Sequence, residues 1–186
     1  MKKAAAVLLA LLLLTGCSSK NKAMEQGLQL RSRLLGSSGC SFDLDITADY
    51  GDKTHSFSLQ CQADSQGGIR FSVTKPDSIS GIQGTLDGRD GALTFHDTAL
   101  HFPLLCDNQV TPVSAPWLLV KTLRGGCIAS AGTSGEYALL RIDDSYEDDA
   151  LHLDIWLEQG GLPVRAEILF RERRILSLDV RNFQIE

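Results

Sequence analysis

The chain has 186 residues, and its 23 acidic and 18 basic side chains give a formal net charge of −5. That acidic balance argues against nucleic acid as a partner, and against adhesion to anionic lipid through charge alone. The length is enough for one domain with a sizeable hydrophobic core.

The first residues carry the features of an export signal. Met1-Lys2-Lys3 is a short basic segment, and Ala4–Leu14 is an apolar run too short to cross a bilayer as a helix, which needs about 20 residues. The following Leu14-Thr15-Gly16-Cys17 resembles the lipobox of bacterial lipoproteins. That resemblance implies a diacylglyceride on Cys17 and cleavage just before it. An ordinary cleaved leader with a chance cysteine is the alternative.

The sequence therefore predicts three segments. Residues 1–16 are expected to be a lipoprotein signal peptide, residues 17–22 a lipidated N-terminus with a polar tether, and residues 23–186 a single domain. Loss of two lysines with the signal makes the chain more negative, so the membrane anchor has to be covalent. One diacylglyceride supplies two acyl chains, which suffices for stable attachment. The expected location is extracytoplasmic, on the cell membrane, or on the outer membrane if the host has two.

The first predicted element after the tether is a helix over Ala23–Leu35, which Gly36 would end. The helix is short, and its apolar residues are expected near one side: Met24, Leu28, Leu34 and Leu35.

After Gly36 the apolar spacing changes to strict alternation, which predicts a hairpin over residues 40–61. With the turn centred on Tyr50-Gly51, one face carries all the apolar and cysteine pairs. A slip by one residue would turn one strand inside out. The predicted cross-strand pairs are Cys40 with Cys61, Phe42 with Leu59, and Leu44 with Phe57.

Four cysteines remain beyond Cys17, an even number that indicates two disulfides in an exported chain. The hairpin register predicts a bridge between Cys40 and Cys61. A bridge between Cys106 and Cys127 then follows by elimination.

The rest of the chain alternates in the same way, except for two segments. Residues 101–113, with two prolines, are expected to be irregular. A second helix is predicted over Ser114–Arg124, capped by Ser114 and ended by Gly125-Gly126. The further predicted strands are Ile69–Val73, Ile82–Leu86, Leu93–Phe95, Glu136–Asp143, Ala150–Gln159, Leu162–Phe170 and Ile175–Gln184.

This pattern of about nine strands, joined by hairpin-length turns, predicts a mainly β fold. The expected architecture is a single curved antiparallel sheet, half-barrel-like, with the N-terminal helix and the inserted helix covering one face.

Two stretches carry a family resemblance: "FSVTKPDSISGIQGTLDG" and the closing "GLPVRAEILFRERRILSLDVRNFQIE". Together with the element order, they resemble the LolA/LolB-like lipoprotein-localisation superfamily. The resemblance implies a half-open antiparallel barrel with a helical lid over an apolar concave face. It implies a lipid or acyl-chain ligand more strongly than it implies lipoprotein transfer.

Signatures of catalysis and metal binding are weak, so we predict no enzyme, no metal site and no cofactor. The G-x-S-x-G elbow of serine hydrolases is missing from the sequence. Histidines 55, 96, 101 and 152 do not have a metal-ligand spacing, and a site made by His96, His101 and Cys106 is a minor alternative. The acidic run 142–150 and the basic run Arg171–Arg174 are interpreted as solvated hairpin turns rather than as calcium or headgroup sites.

The inward faces of the predicted sheet are the candidate ligand site. Two short helices would not cover the whole sheet, and each buried CH₂ group of an acyl chain contributes about 0.8 kcal/mol. The candidates are Phe42, Leu44, Phe57, Leu59, Phe71, Val73, Phe95, Trp117 and Leu118. Ordinary core packing is the alternative for each of these residues.

Trp156 lies on the opposite face of its predicted strand, among charged residues. It marks either a surface that binds a partner or a place that a neighbouring element covers.

The sequence thus predicts a monomeric, membrane-anchored lipoprotein that binds or carries a lipid, an acyl chain or an acylated protein without catalysis. The alternative is a structural or interaction lipoprotein of the cell envelope with no small ligand.

Overall fold

The structure is a computed structural model that describes residues 17–49, 51, 53–88, 90–95, 98–103, 105–106, 109–147 and 150–186. The signal-peptide prediction for residues 1–16 and the prediction for His96 lie outside these residues. So do the side chains of Phe95 and Cys106.

Eleven strands form one antiparallel sheet. The strands of the described chain are β1 Gly39–Asp49, β2 Thr54–Asp64, β3 Ile69–Lys75, β4 Gln83–Asp87, β5 Asp90–Phe95, β6 Thr98–Pro103, β7 Leu105–Cys106, β8 Gln109–Val110, β9 Cys127–Ser134, β10 Tyr137–Asp143, β11 Leu151–Leu157, β12 Pro163–Phe170 and β13 Arg173–Ile185. The sheet runs in the order β6-β5-β4-β3-β2-β1-β13-β12-β11-β10-β9, and β7 pairs with β8 separately.

Two α-helices accompany the sheet in the described chain, α1 Cys17–Leu35 and α2 Ala115–Gly125. One precedes the sheet, and the other is inserted before β9. These are the leading and inserted helices that the LolA/LolB-like resemblance implies, and the predicted fold is confirmed. Neither helix is both long and apolar enough to cross a membrane.

Helix α1 begins earlier than predicted. It starts at Cys17, so the segment 17–22, predicted to be a tether, is helical. The prediction of one apolar side is also wrong, because the helix divides its apolar residues between two faces. Leu34 is buried, whereas Leu28 and Leu35 are 51% and 57% exposed. The buried face, which packs on β9, β10 and α2, consists of Ala23, Gly27, Leu30 and Leu34.

Helix α2 lies close to its predicted place, with Pro116 in its first turn. The predicted cap is wrong, because the Ser114 hydroxyl donates to the carbonyl of Thr111 at 2.6 Å instead of capping the helix. Gly126 ends the helix at a crowded point, where a Cβ would lie 2.7 Å from Cγ2 of Ile142. Position 126 therefore requires glycine.

The β1–β2 hairpin has a different register from the predicted one. Cys61 lies opposite Phe42, and Cys40 lies opposite Ala63, a shift of two residues. The length of the connection explains the shift: Asp49 pairs with Thr54, so four residues join the strands instead of the two of the predicted turn. Within this connection the Gly51 N–H donates to Asp49 Oδ1 at 2.8 Å. Because the shift is even, the predicted inward face is preserved.

Strands β6 to β9 correct two further predictions. Residues 101–113 are not irregular throughout, because β6, β7 and β8 include part of this segment. Strand β9 was not predicted, since its sequence, CIASAGTS, lacks alternating large apolar residues.

A bulge near the end of β13 sets the contact between the first and last strands. The register shifts between Ser41 and Asp43, opposite Asn182, whose φ is +53°. The Asn182 side-chain amide donates to Asp43 Oδ2 at 2.6 Å. The adjacent Phe183 ring then stacks on Phe42 with 5.4 Å between centroids. Asparagine tolerates this left-handed conformation better than most residues.

Candidate functional site

The candidate site is one face of the large sheet, which we call the inner face. Helix α1 packs on it, because a Cβ added at Gly27 would lie 2.6 Å from Cδ1 of Leu140. Helix α1 packs on β9 and β10, near one end of the sheet. Helix α2 contacts β10 and also reaches the other strands, because Trp117 lines a cleft together with Asp87 of β4. At the opposite edge of the sheet, strand β6 carries the exposed Leu100.

A single row of direct cross-strand partners connects the two regions of the inner face. We call it the inner row: Phe42, Cys61, Phe71, Gly84, Leu93 and Leu100. Its first four members are buried and Leu93 is half-buried. Leu100, on the edge strand β6, is 62% exposed. Along the inner row, burial thus decreases from the core at Phe42 to the exposed apolar surface at Leu100.

Two glycines make room for aromatic rings on this face. A Cβ at Gly84 would stand 2.2 Å from Cζ of Phe71, and one at Gly91 would stand 2.5 Å from Cζ of Phe102. Each ring belongs to the cross-strand partner of its glycine. Each ring therefore fills the space that a side chain at the glycine would occupy. The two rings form part of the inner face between β3 and β6.

The predicted ligand-face residues fall into three groups. Phe57 and Trp117 are half-buried and pack against the core, and Phe95 lies in β5 with its side chain outside the described part. The structure buries the others in the core: Phe42, Leu44, Leu59, Phe71, Val73 and Leu118. Sequence reasoning missed the β6 end of the face, where Leu100 is exposed and Ile82, Leu93 and Phe102 are partly buried against the core. The alternation of Leu100 and Phe102 was the available signal.

Three cysteines whose side chains the structure describes are free thiols: Cys40, Cys61 and Cys127. The predicted Cys40–Cys61 bridge is wrong, because the two residues are diagonal neighbours rather than partners. Diagonal neighbours lie about 7–8 Å apart, whereas the Cβ atoms of a disulfide lie about 4 Å apart. Burial raises the pKa of the Cys40 thiol to about 11 and also raises the pKa of Cys61.

A cleft of about 410 Å³ opens at the end of α1. Leu35 forms one wall, and Trp117, Lys121 and Arg124 of α2 form another. The Lys121 ammonium lies 5.0 Å from the Trp117 ring centroid and 3.3 Å from Asp144 Oδ2. The cleft combines a large amphipathic ring with cationic side chains, a combination suited to the boundary between water and lipid.

The outer face of the sheet carries charged side chains that form ion pairs. Arg141 binds both carboxylate oxygens of Asp154, at 2.7 and 2.8 Å, and this hydrogen bonding raises the arginine pKa. Trp156 lies on this face, half-buried beneath the Arg165 guanidinium at 4.9 Å. Local cover by Arg165 thus accounts for the half-burial of this tryptophan among charged residues.

The histidines are dispersed in the described chain. His55 and His101 are exposed, and His55 lies opposite Ala48. His152 Nδ1 lies 2.7 Å from Asp143 Oδ1. Within the described residues, histidine, cysteine and carboxylate side chains form no group that would hold a metal ion.

Comparisons with known proteins add likenesses of fold. The chain matches no protein-family profile and no curated protein. Among solved structures it is similar to the LolA superfamily protein NE2245 from Nitrosomonas europaea, with 9% identity over 91% of this chain and 94% of that chain, and a TM-score of 0.49. It is also similar to lipoprotein LppX of Mycobacterium tuberculosis (12% identity, 87% and 93% covered, TM-score 0.42) and LprF of Mycobacterium bovis (11%, 89% and 95%, 0.45).

Proposed function

We propose that the chain is a membrane-anchored, extracytoplasmic lipoprotein that binds or carries a lipid or acyl chain, free or on a lipoprotein, without catalysis. The observation that carries this proposal is the inner row, in which buried apolar residues continue without interruption to the 62% exposed Leu100. A linear apolar ligand that packs on Leu93 and Leu100 would be continuous with the existing hydrophobic core. Each CH₂ group it buries would contribute about 0.8 kcal/mol.

The anchor is proposed from the sequence around Cys17. The apolar run ends at a lipobox-like tetrapeptide, and a diacylglyceride there would hold the domain at a membrane surface. Replacement of Cys17 by Ala is expected to move the protein from the membrane fraction to the soluble fraction. Unchanged membrane fractionation of C17A would contradict the anchor.

Native mass spectrometry tests the ligand. Protein purified in mild detergent is expected to carry an adduct of lipid mass, which delipidation removes while the circular dichroism spectrum is kept. A protein that gains no adduct on exposure to a total lipid extract would contradict lipid binding.

A second candidate is a structural or interaction lipoprotein with no small ligand. The burial of six predicted ligand-face residues favours it, because these residues already belong to one hydrophobic core. The two candidates differ at the β6 end. Lipid binding requires that Leu93 and Leu100 change environment when lipid is added, and the structural role does not.

A further inference from the structure

We propose that α1 lies along the bilayer surface, with its exposed apolar residues in contact with lipid and the Trp117 cleft opening beside it. This inference rests on the proposed anchor at Cys17. It adds the surface that contacts the membrane and the orientation of the domain.

The apolar residues on the outside of α1 form one line. Met24 is half-buried, and Leu28 and Leu35 are more than half exposed. At about 100° per residue, helix positions 17, 24, 28 and 35 fall within about 40° of one another. We call Met24, Leu28 and Leu35 the α1 stripe. The position of the proposed lipid anchor therefore lies on the same line as the stripe.

The surface beside the stripe suits a lipid headgroup region. A shallow groove there is lined by Met24, Glu25, Leu28, Gln29 and Ser32. The Gln29 side chain donates to Glu25 Oε1 at 3.1 Å, so these polar groups are partly paired with each other. An apolar line flanked by polar side chains is the arrangement of a helix that lies in the membrane interface.

The distance from the anchor identifies lipid as the occupant. Helix α1 includes Cys17 and Leu35 as its first and last residues, so position 17 and the stripe belong to one continuous helix. At a rise of about 1.5 Å per residue, Met24 lies about 11 Å and Leu28 about 17 Å along the axis from position 17. Acyl chains attached at the first helical position bring the stripe to the bilayer, whereas a protein partner would have to displace lipid to reach it.

The far end of the stripe connects with the cleft. Leu35 ends the stripe and lines the cleft that Trp117, Lys121 and Arg124 also line. A helix resting on the bilayer therefore brings the Trp117 ring to the lipid interface. Trp156 lies on the outer face of the sheet, which separates it from α1.

Fluorescence quenching tests this orientation with the full lipidated protein. The protein is reconstituted in phosphatidylcholine vesicles whose acyl chains carry bromine, a quencher of tryptophan. The variant W156F reports Trp117 alone, and W117F reports Trp156 alone. We expect quenching of Trp117 at least twice that of Trp156. The double variant L28Q/L35Q is expected to lose most of the Trp117 quenching. L100Q, which removes an equally exposed leucine elsewhere, is expected to keep it.

Equal quenching of the two tryptophans, or quenching of Trp117 unaffected by L28Q/L35Q, would overturn the orientation. If W117F fails to fold, the comparison of L28Q/L35Q with L100Q in the W156F background decides alone. The mass of the N-terminal peptide separates this proposal from the anchor. If the peptide carries a diacylglyceride on Cys17 but Trp117 is not quenched, only the orientation is refuted. If the peptide carries no diacylglyceride, the anchor and the orientation are both refuted.

Discussion

Arg31 in α1 and Arg124 in α2 each bind backbone carbonyls at the end of the other helix. Arg31 donates from Nε to the carbonyl of Leu123 at 2.9 Å and from Nη2 to that of Gly126 at 2.7 Å. Arg124 donates from Nη1 to the carbonyl of Leu34 at 3.4 Å. Cations at helix C-termini complement the helix dipole, and these hydrogen bonds join the two helices end to end.

Removal of the Arg31 guanidinium should destabilise the fold. Burial lowers the pKa of Arg31, yet the side chain satisfies carbonyls that α2 leaves unpaired. We expect R31M to lower the free energy of unfolding in urea by about 2–3 kcal/mol. R31K should not restore it, because an ammonium lacks the planar fork of donors. The control is R33M, which changes an exposed arginine of the same helix and should lower the free energy of unfolding by less than about 0.5 kcal/mol.

A methyl group under Phe71 should also destabilise the fold. G84A would place Cβ 2.2 Å from the ring, so ring or strand must move, at a cost of about 1–3 kcal/mol. G132A is the matched control, because a Cβ at Gly132 meets nothing within 4 Å. Equal melting temperatures for G84A and G132A would show that Phe71 does not lie over the glycine.

Alkylation should find Cys40 and Cys61 as thiols. In native protein prepared without reductant, both are buried and should resist iodoacetamide. After unfolding in guanidinium without reductant, both should be labelled, as peptide mass spectrometry would detect. Labelling that requires prior reduction would restore the predicted disulfide.

The buried thiol of Cys40 should make stability depend on pH in the alkaline range. Its folded pKa of about 11 is higher than the unfolded value, so the folded state holds the proton more tightly. The resulting stabilisation is complete below about pH 8 and declines as pH rises towards about 11. Urea unfolding at pH 7 to 10.5 should show a steeper loss for wild type than for C40A. Parallel curves for the two proteins would contradict this.

Polar substitution at the exposed end of the inner row should weaken ligand binding. L100Q removes apolar area from the open surface without disturbing the buried core, since Leu100 is 62% exposed. We expect a three- to tenfold lower affinity for a fluorescent fatty acid, which corresponds to about 1 kcal/mol. L28Q is the control, because Leu28 is similarly exposed on α1 and away from the inner row. An equal loss in both variants would place the ligand elsewhere.

The alternating pattern of apolar residues was sufficient to predict the sheet, its antiparallel pairing and its inward parity. Phe42, Leu44 and Leu59 are buried on the predicted face because a period of two leaves no other choice. The register was not predictable from pattern alone, since a connection two residues longer than predicted moves the pairing by two residues without changing the face. Strand β9 escaped prediction because α1, rather than its own residues, covers the sheet there.

The candidate site was only partly predictable for a similar reason. Sequence alternation identifies which residues point inward, but it does not show how far the helices extend over them. Phe71 on β3 is buried in the core, whereas Leu100 on the edge strand β6 is 62% exposed, although both face the same side of the sheet. The open end of the face thus depends on long-range packing, which local pattern does not encode.

A titration of delipidated wild-type protein with a fluorescent fatty acid, kept below its micelle concentration, tests the central claim most directly. The proposed function predicts saturable uptake of one acyl chain per folded protein, with emission shifted towards that of an apolar environment. Emission that rises linearly without saturation, from protein whose circular dichroism spectrum is intact, would contradict it.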